Sequence, residues 1–86
     1  MTYEVIVPKP VQKQLDKLPD KEYERVMTKI VSLKKNPRPG GCVKLKAYKD
    51  EFRVRIGSYR IRYLIDNEKS LVILLHCMHR KDIYRK

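Results

Sequence analysis

At 86 residues, with 21 Lys and Arg against 10 Asp and Glu and a formal net charge of +11, the chain has room for one domain (residues 1–86) and one modest core. The basic excess runs through both halves, +4 over residues 1–40 and +7 over residues 41–86. It points to nucleic acid, an anionic membrane surface or an acidic protein partner, without saying which.

Met1-Thr2-Tyr3-Glu4 begins strand-like with no apolar leader, and the longest apolar run, Leu71 to Leu75, is far too short to span a bilayer. Cys42 and Cys77 lack CxxC or CxxH spacing, so neither a disulfide framework nor a zinc site is expected. The expectation is a cytoplasmic protein with two reduced, structural thiols and no membrane partner.

In chain order, Tyr3 to Val7 reads as a short strand stopped by Pro8. Pro10 suits the first turn of a helix, where its missing N–H is not needed. Val11, Leu15 and Leu18 then fall at i, i+4 and i+7, one apolar stripe that Pro19 ends. Asp20 suits the N-cap of a second helix, with Glu22 and Glu24 near its positive end. Tyr23, Val26, Met27, Ile30 and Leu33 form its buried stripe, and Asn36-Pro37 stops it. Lys13, Lys17, Lys21 and Lys29 fall on solvent faces. A helical hairpin results, followed by a Pro- and Gly-rich loop over residues 36–41 and a short strand from Cys42 to Leu45.

The stretch from Phe52 to Tyr63 organises the rest. It alternates with period 2 on either side of Gly57-Ser58, and Gly at the first turn position suits a type II′ hairpin. That loop pairs Ile56 with Tyr59, Arg55 with Arg60, Val54 with Ile61, Arg53 with Arg62 and Phe52 with Tyr63. One face is apolar or aromatic. The other carries four arginines with no acid among them. Like charges opposed across a ladder destabilise a sheet, so an anion lying across that face accounts for them better than stability does. The plainer alternative is that they solvate the face or block edge-to-edge pairing. Arg rather than Lys favours the anion, because its planar fork grips phosphate bidentately and stacks on bases.

Asp66-Asn67-Glu68-Lys69 turns the chain into Leu71 to Met78, apolar on both faces and so a central strand beneath the helices. The order β-α-α-β-β-β gives an α+β fold, an N-terminal strand and a helical hairpin packed on one face of a mainly antiparallel sheet, with the opposite face left to the arginines.

Groups able to move a proton are few. His76 reads as a structural histidine inside the apolar strand. His79, just past the strand end, suits a catalytic or phosphate-binding role. Tyr84 suits base stacking or proton donation, or simply caps the fold. RNA brings its own nucleophile, the 2′-OH, so cleavage needs only positioning, charge stabilisation and proton transfer, with no metal or other cofactor. Arg stays protonated and cannot be the base. Arg53, Arg55, Arg60 and Arg80 could instead stabilise a pentavalent phosphate.

The hairpin Phe52 to Tyr63, followed by the apolar strand and His79-Arg80-Lys81-Asp82-Ile83-Tyr84-Arg85, resembles RelE-type toxins of the RelE/ParE superfamily. The likeness extends over nearly the whole chain, including the Leu-Pro break between the helices and the Asn36-Pro37-Arg38 loop. The resemblance implies a RelE-like fold and a toxin held inactive by a cognate acidic antitoxin in a hetero-oligomeric complex. It further implies metal-independent cutting of mRNA in the ribosomal A site, by 2′-OH attack that leaves a cyclic phosphate.

The family's site positions fall on Arg53, Arg55, Arg60, Arg80 or His79, and Tyr84. Arg62, Lys44, Lys46 and Lys81 are expected to bind RNA. The two strand positions are often Lys in the best-known members. If one of those Lys accepts a proton, Arg53 and Arg55 cannot replace it, and His79 or Tyr84 must do more. Two other readings stand beside the nuclease: a ParE-like poison of DNA gyrase on the same fold, and a non-catalytic basic module that binds RNA or acts as co-repressor.

Overall fold

The computed structural model describes residues 2–46, 49–79 and 81. Its secondary structure follows the apolar periodicities closely. Strand β1 (Glu4–Ile6) leads into helix α1 (Lys9–Asp16), with Pro10 in the first turn, and then into helix α2 (Asp20–Ser32). Val11 and Leu15 of α1, Val26 and Ile30 of α2, and Leu33 just beyond it are buried. Leu18, Tyr23 and Met27 pack half-buried around them. Pro19 occupies the N-cap of α2 and accepts from the Tyr23 N–H at 2.8 Å. Asp20, expected as the cap, instead joins Glu22 in the first turn, where both carboxylates face the helix's positive end.

Strands β2 (Val43–Lys44), β3 (Glu51–Ile56), β4 (Tyr59–Asp66) and β5 (Leu71–His79) complete a five-stranded sheet of order β1-β5-β4-β3-β2. All neighbours run antiparallel except β1 and β5, which are parallel. Phe52, Val54, Ile56, Ile61, Tyr63, Ile65, Val72, Leu74 and Cys77 turn inward and meet the helices in one core. Burying an aliphatic or aromatic side chain of this kind contributes about 1.5–3 kcal/mol, and this layer fixes which side of each strand is left outward.

The loop after α2 is fastened rather than loose. Pro37 is buried, and its carbonyl accepts from the Tyr63 hydroxyl at 2.7 Å. The Arg38 guanidinium stacks 5.3 Å from the Phe52 ring centroid and donates to Asn67 Oδ1 at 3.4 Å. No helix among the described residues is long and apolar enough to cross a membrane.

Candidate nucleic-acid interface

The β3–β4 hairpin has the register that its sequence dictates. Ile56 lies opposite Tyr59, Arg55 opposite Arg60, Val54 opposite Ile61, Arg53 opposite Arg62 and Phe52 opposite Tyr63. Gly57 takes φ +58°, while Ser58 is not among the left-handed residues. A single positive φ at the first turn position is the type II′ requirement. Arg53, Arg55, Arg60 and Arg62 therefore share the face turned away from the helices.

That face is not free of acid. Glu51 has the same strand parity as Arg53 and Arg55, and it reaches diagonally to Arg62. Arg62 Nε donates to Glu51 Oε1 at 2.7 Å, and Nη2 lies 2.5 Å from the same oxygen. The Glu51 side chain is only 14% exposed and that of Arg62 32%, so this pair is partly desolvated. The expectation of four uncompensated arginines is corrected to three. Among the described residues, Arg53, Arg55 and Arg60 have no acidic partner, and Arg55 donates only to the Gly57 carbonyl, at 3.4 Å.

The two histidines exchange the places expected of them. Strand β5 pairs Arg62 with His76 but Tyr63 with Leu74, leaving Leu75 as an extra residue in a β-bulge. Val72 and Leu74 face the core before the bulge and Cys77 after it, so the alternation slips by one. His76, read as a buried structural residue, is exposed on the arginine face, directly opposite Arg62. His79 ends the strand rather than following it, and pairs with Tyr59 on the helix side. Its ring meets the Tyr59 ring edge-on at 5.1 Å and 88°, and its Nδ1 accepts from the Lys81 N–H at 3.1 Å. Gln14, Lys17 and Leu18 of the helical layer line the same groove as His79. The bulge thus separates His79 from the arginines it was expected to join.

The lysines spread outward. Lys44 is opposite the core residue Phe52, so strand alternation turns it from the arginine face, while Val43 opposite Arg53 stays on it, 47% exposed. Lys46 and Lys81 are exposed. Arg80 and Tyr84 lie outside the described residues. No group of three or more His, Cys, Asp or Glu that could hold a metal ion occurs among the described residues.

Among the described residues, burial shifts the titration of two core groups, Tyr63 and Cys77. Burial, and then the Cys42 thiol beside it, hold the Tyr63 hydroxyl well above the ordinary phenol range, against a smaller opposing pull from Arg38. Burial likewise pushes the Cys77 thiol up. Neither faces the arginines. The surface therefore offers an anion fixed positive charge from three guanidinium groups, and one exposed imidazole beside them.

Comparison with known proteins finds relatives that share the fold. A family model described as the ParE toxin of type II toxin–antitoxin systems, parDE, matches residues 5–84. Toxin RelG of Mycobacterium tuberculosis is 32% identical over 91 residues, with 100% of both chains covered. A chain of the archaeal RelE–RelB complex from Pyrococcus horikoshii superposes with a TM-score of 0.84 at 30% identity, again over 100% of both chains. A chain of the toxin–antitoxin complex RelBE2 from Mycobacterium tuberculosis gives a TM-score of 0.82 at 28% identity, over 93% of this chain and 100% of that one.

Proposed function

The chain belongs to the ParE toxin family of type II toxin–antitoxin systems, within the RelE/ParE superfamily, and on that premise we propose that its arginine face works as a ribosome-dependent endoribonuclease. The observation that carries this reading is the cluster of Arg53, Arg55 and Arg60, which has no acidic partner among the described residues. Placing Arg55 directly opposite Arg60 costs sheet stability. It is of use only to a ligand that brings negative charge, and a phosphodiester does.

In the proposed reaction the ribose 2′-oxygen attacks the adjacent phosphorus and the bond to the 5′-oxygen breaks, leaving a cyclic phosphate and a 5′-hydroxyl. The arginines hold the phosphate and meet the charge that builds on its oxygens in the transition state. They carry no proton away, since guanidinium does not deprotonate. Arg80 and Tyr84 are proposed to join them from beyond the described strand, and Arg62, Lys46 and Lys81 to contact RNA around the site, whereas His79 and Lys44, turned to the other side of the sheet, would meet only RNA that passes beyond that face. The partners are the ribosome with its message and an acidic antitoxin that silences the toxin by association. RelE–RelB complexes among the structural neighbours support that last pairing.

The family model's description names ParE, so a gyrase poison is the second reading. Tightly controlled induction separates the two. The nuclease reading expects growth arrest with reporter mRNA shortened only within translated codons, and it expects Arg60→Ala, whose side chain points away from the core, to abolish arrest with the fold intact. Arrest with intact mRNA and gyrase-linked breaks in plasmid DNA would move the assignment to gyrase.

A further inference from the structure

We infer that His76 is the proton acceptor of the arginine face; the inference rests on the nuclease reading above and adds the group that reading lacks. The chain has two histidines, and the bulge at Leu75 sorts them to opposite sides of the sheet. His79 goes to the helix side, where Tyr59 and the Lys81 N–H engage it. His76 goes outward and is exposed.

Its position among the arginines follows from the pairing. His76, Arg62 and Arg53 form one row across β5, β4 and β3, and Met78, Arg60 and Arg55 form the next. Directly opposed residues lie about 5 Å apart and diagonal ones about 7–8 Å, which sets His76 within side-chain reach of the space over Arg60. Arg53 is two strands away, roughly 10 Å. A single nucleotide spans that gap, with its phosphate on Arg53 and Arg60 and its ribose toward β5.

Among the described residues of that face, no other group is placed to take the proton. The carboxylate of Glu51 is committed to Arg62, and guanidinium cannot accept a proton. Imidazole is the side chain most often used as general base near neutral pH. In the step proposed, the 2′-oxygen–phosphorus bond forms as His76 takes the 2′-hydroxyl proton, the bond from phosphorus to the 5′-oxygen breaks, and the 5′-oxygen is protonated from solvent. The imidazolium then returns its proton to water, so the reaction is a balanced transesterification with no co-reactant.

The test uses the full-length chain in single-turnover cleavage of a message on programmed ribosomes, with His76→Ala and His76→Gln beside the parent. Because His76 is exposed, both variants are expected to melt with the parent and to bind the ribosome with parental affinity. Cleavage is expected to fall by about 100-fold or more, and added imidazole to restore His76→Ala in proportion to its concentration. Parental cleavage by His76→Ala would overturn the inference while leaving the nuclease reading intact. So would a loss that imidazole does not restore, since a binding role alone gives that result. A parent that leaves the message whole would overturn both.

Discussion

Both nitrogens of Arg62 that approach Glu51 converge on one carboxylate oxygen, at 2.7 and 2.5 Å, so this arginine's charge is answered within the protein. Removing the acid should weaken that hold. Glu51→Gln is expected to steepen the salt dependence of RNA binding by about 0.7 in log affinity per log salt, one further phosphate contact on a single strand. It should also cost about 1 kcal/mol of stability, the scale of one hydrogen bond; a titration across ionic strength and a urea melt read the two effects. Glu51 is legible in principle, since it continues the parity of Arg53 and Arg55 one residue before the Phe52 to Tyr63 stretch. Tyr63 offers a second test at this scale. Its hydroxyl and the Cys77 thiol are both raised above their ordinary values in the fold, chiefly by burial. The unfolded chain therefore releases these protons first as pH climbs, and the native state binds more of them. Stability is fully present below the ordinary thiol and phenol values, roughly 8.5 to 10, and declines above them as the unfolded state ionises. Urea midpoints at about pH 7 and pH 10.5 should show that decline. Tyr63→Phe should start lower, having lost the bond to the Pro37 carbonyl, and lose less between the two.

Among the elements, the β3–β4 hairpin was the most legible and the end of β5 the least, for one physical reason. The hairpin alternates polar and apolar residues, so a one-residue slip would bury arginines, and only one register is tolerable. From Leu71 to Leu75 every position is apolar, so either parity satisfies the core and nothing in the composition announces the bulge. That ambiguity is what placed His76 inside and His79 beside the arginines. The turn itself sets the arginine register and is open to a direct test. Gly57 has φ +58°, and a Cβ there would come within 3.3 Å of the Arg25 guanidinium. Gly57→Ala should destabilise by about 1 kcal/mol, because an L side chain resists that φ, and should lower the melting temperature by about 4–8 °C in a domain this small. Arg25 is a flexible surface side chain, 59% exposed, so removing it as well should leave most of the loss in place. Full recovery in the double variant would show that crowding, not backbone strain, makes glycine necessary.

Over the whole molecule, the layered plan was written in the chain. Two amphipathic helices with a Pro break, a Pro-Gly loop and four strands after it admit few arrangements besides helices on one face and charge on the other. The parallel pairing of β1 with β5 was not visible, because a three-residue strand carries no signal for its neighbour. Net charge of +11 is enough to draw the protein to any polyanion, so affinity alone does not distinguish a nuclease from a basic binding module. Chemistry does. The most direct measurement is cleavage of a defined message by the purified protein, with ribosomes carrying a vacant A site, with ribosomes whose A site is filled, and without ribosomes, followed by analysis of the new ends. The account predicts cuts only with the vacant A site, bearing 2′,3′-cyclic phosphate and 5′-hydroxyl ends. Intact message with the vacant A site, or equal cutting of free RNA, would contradict it.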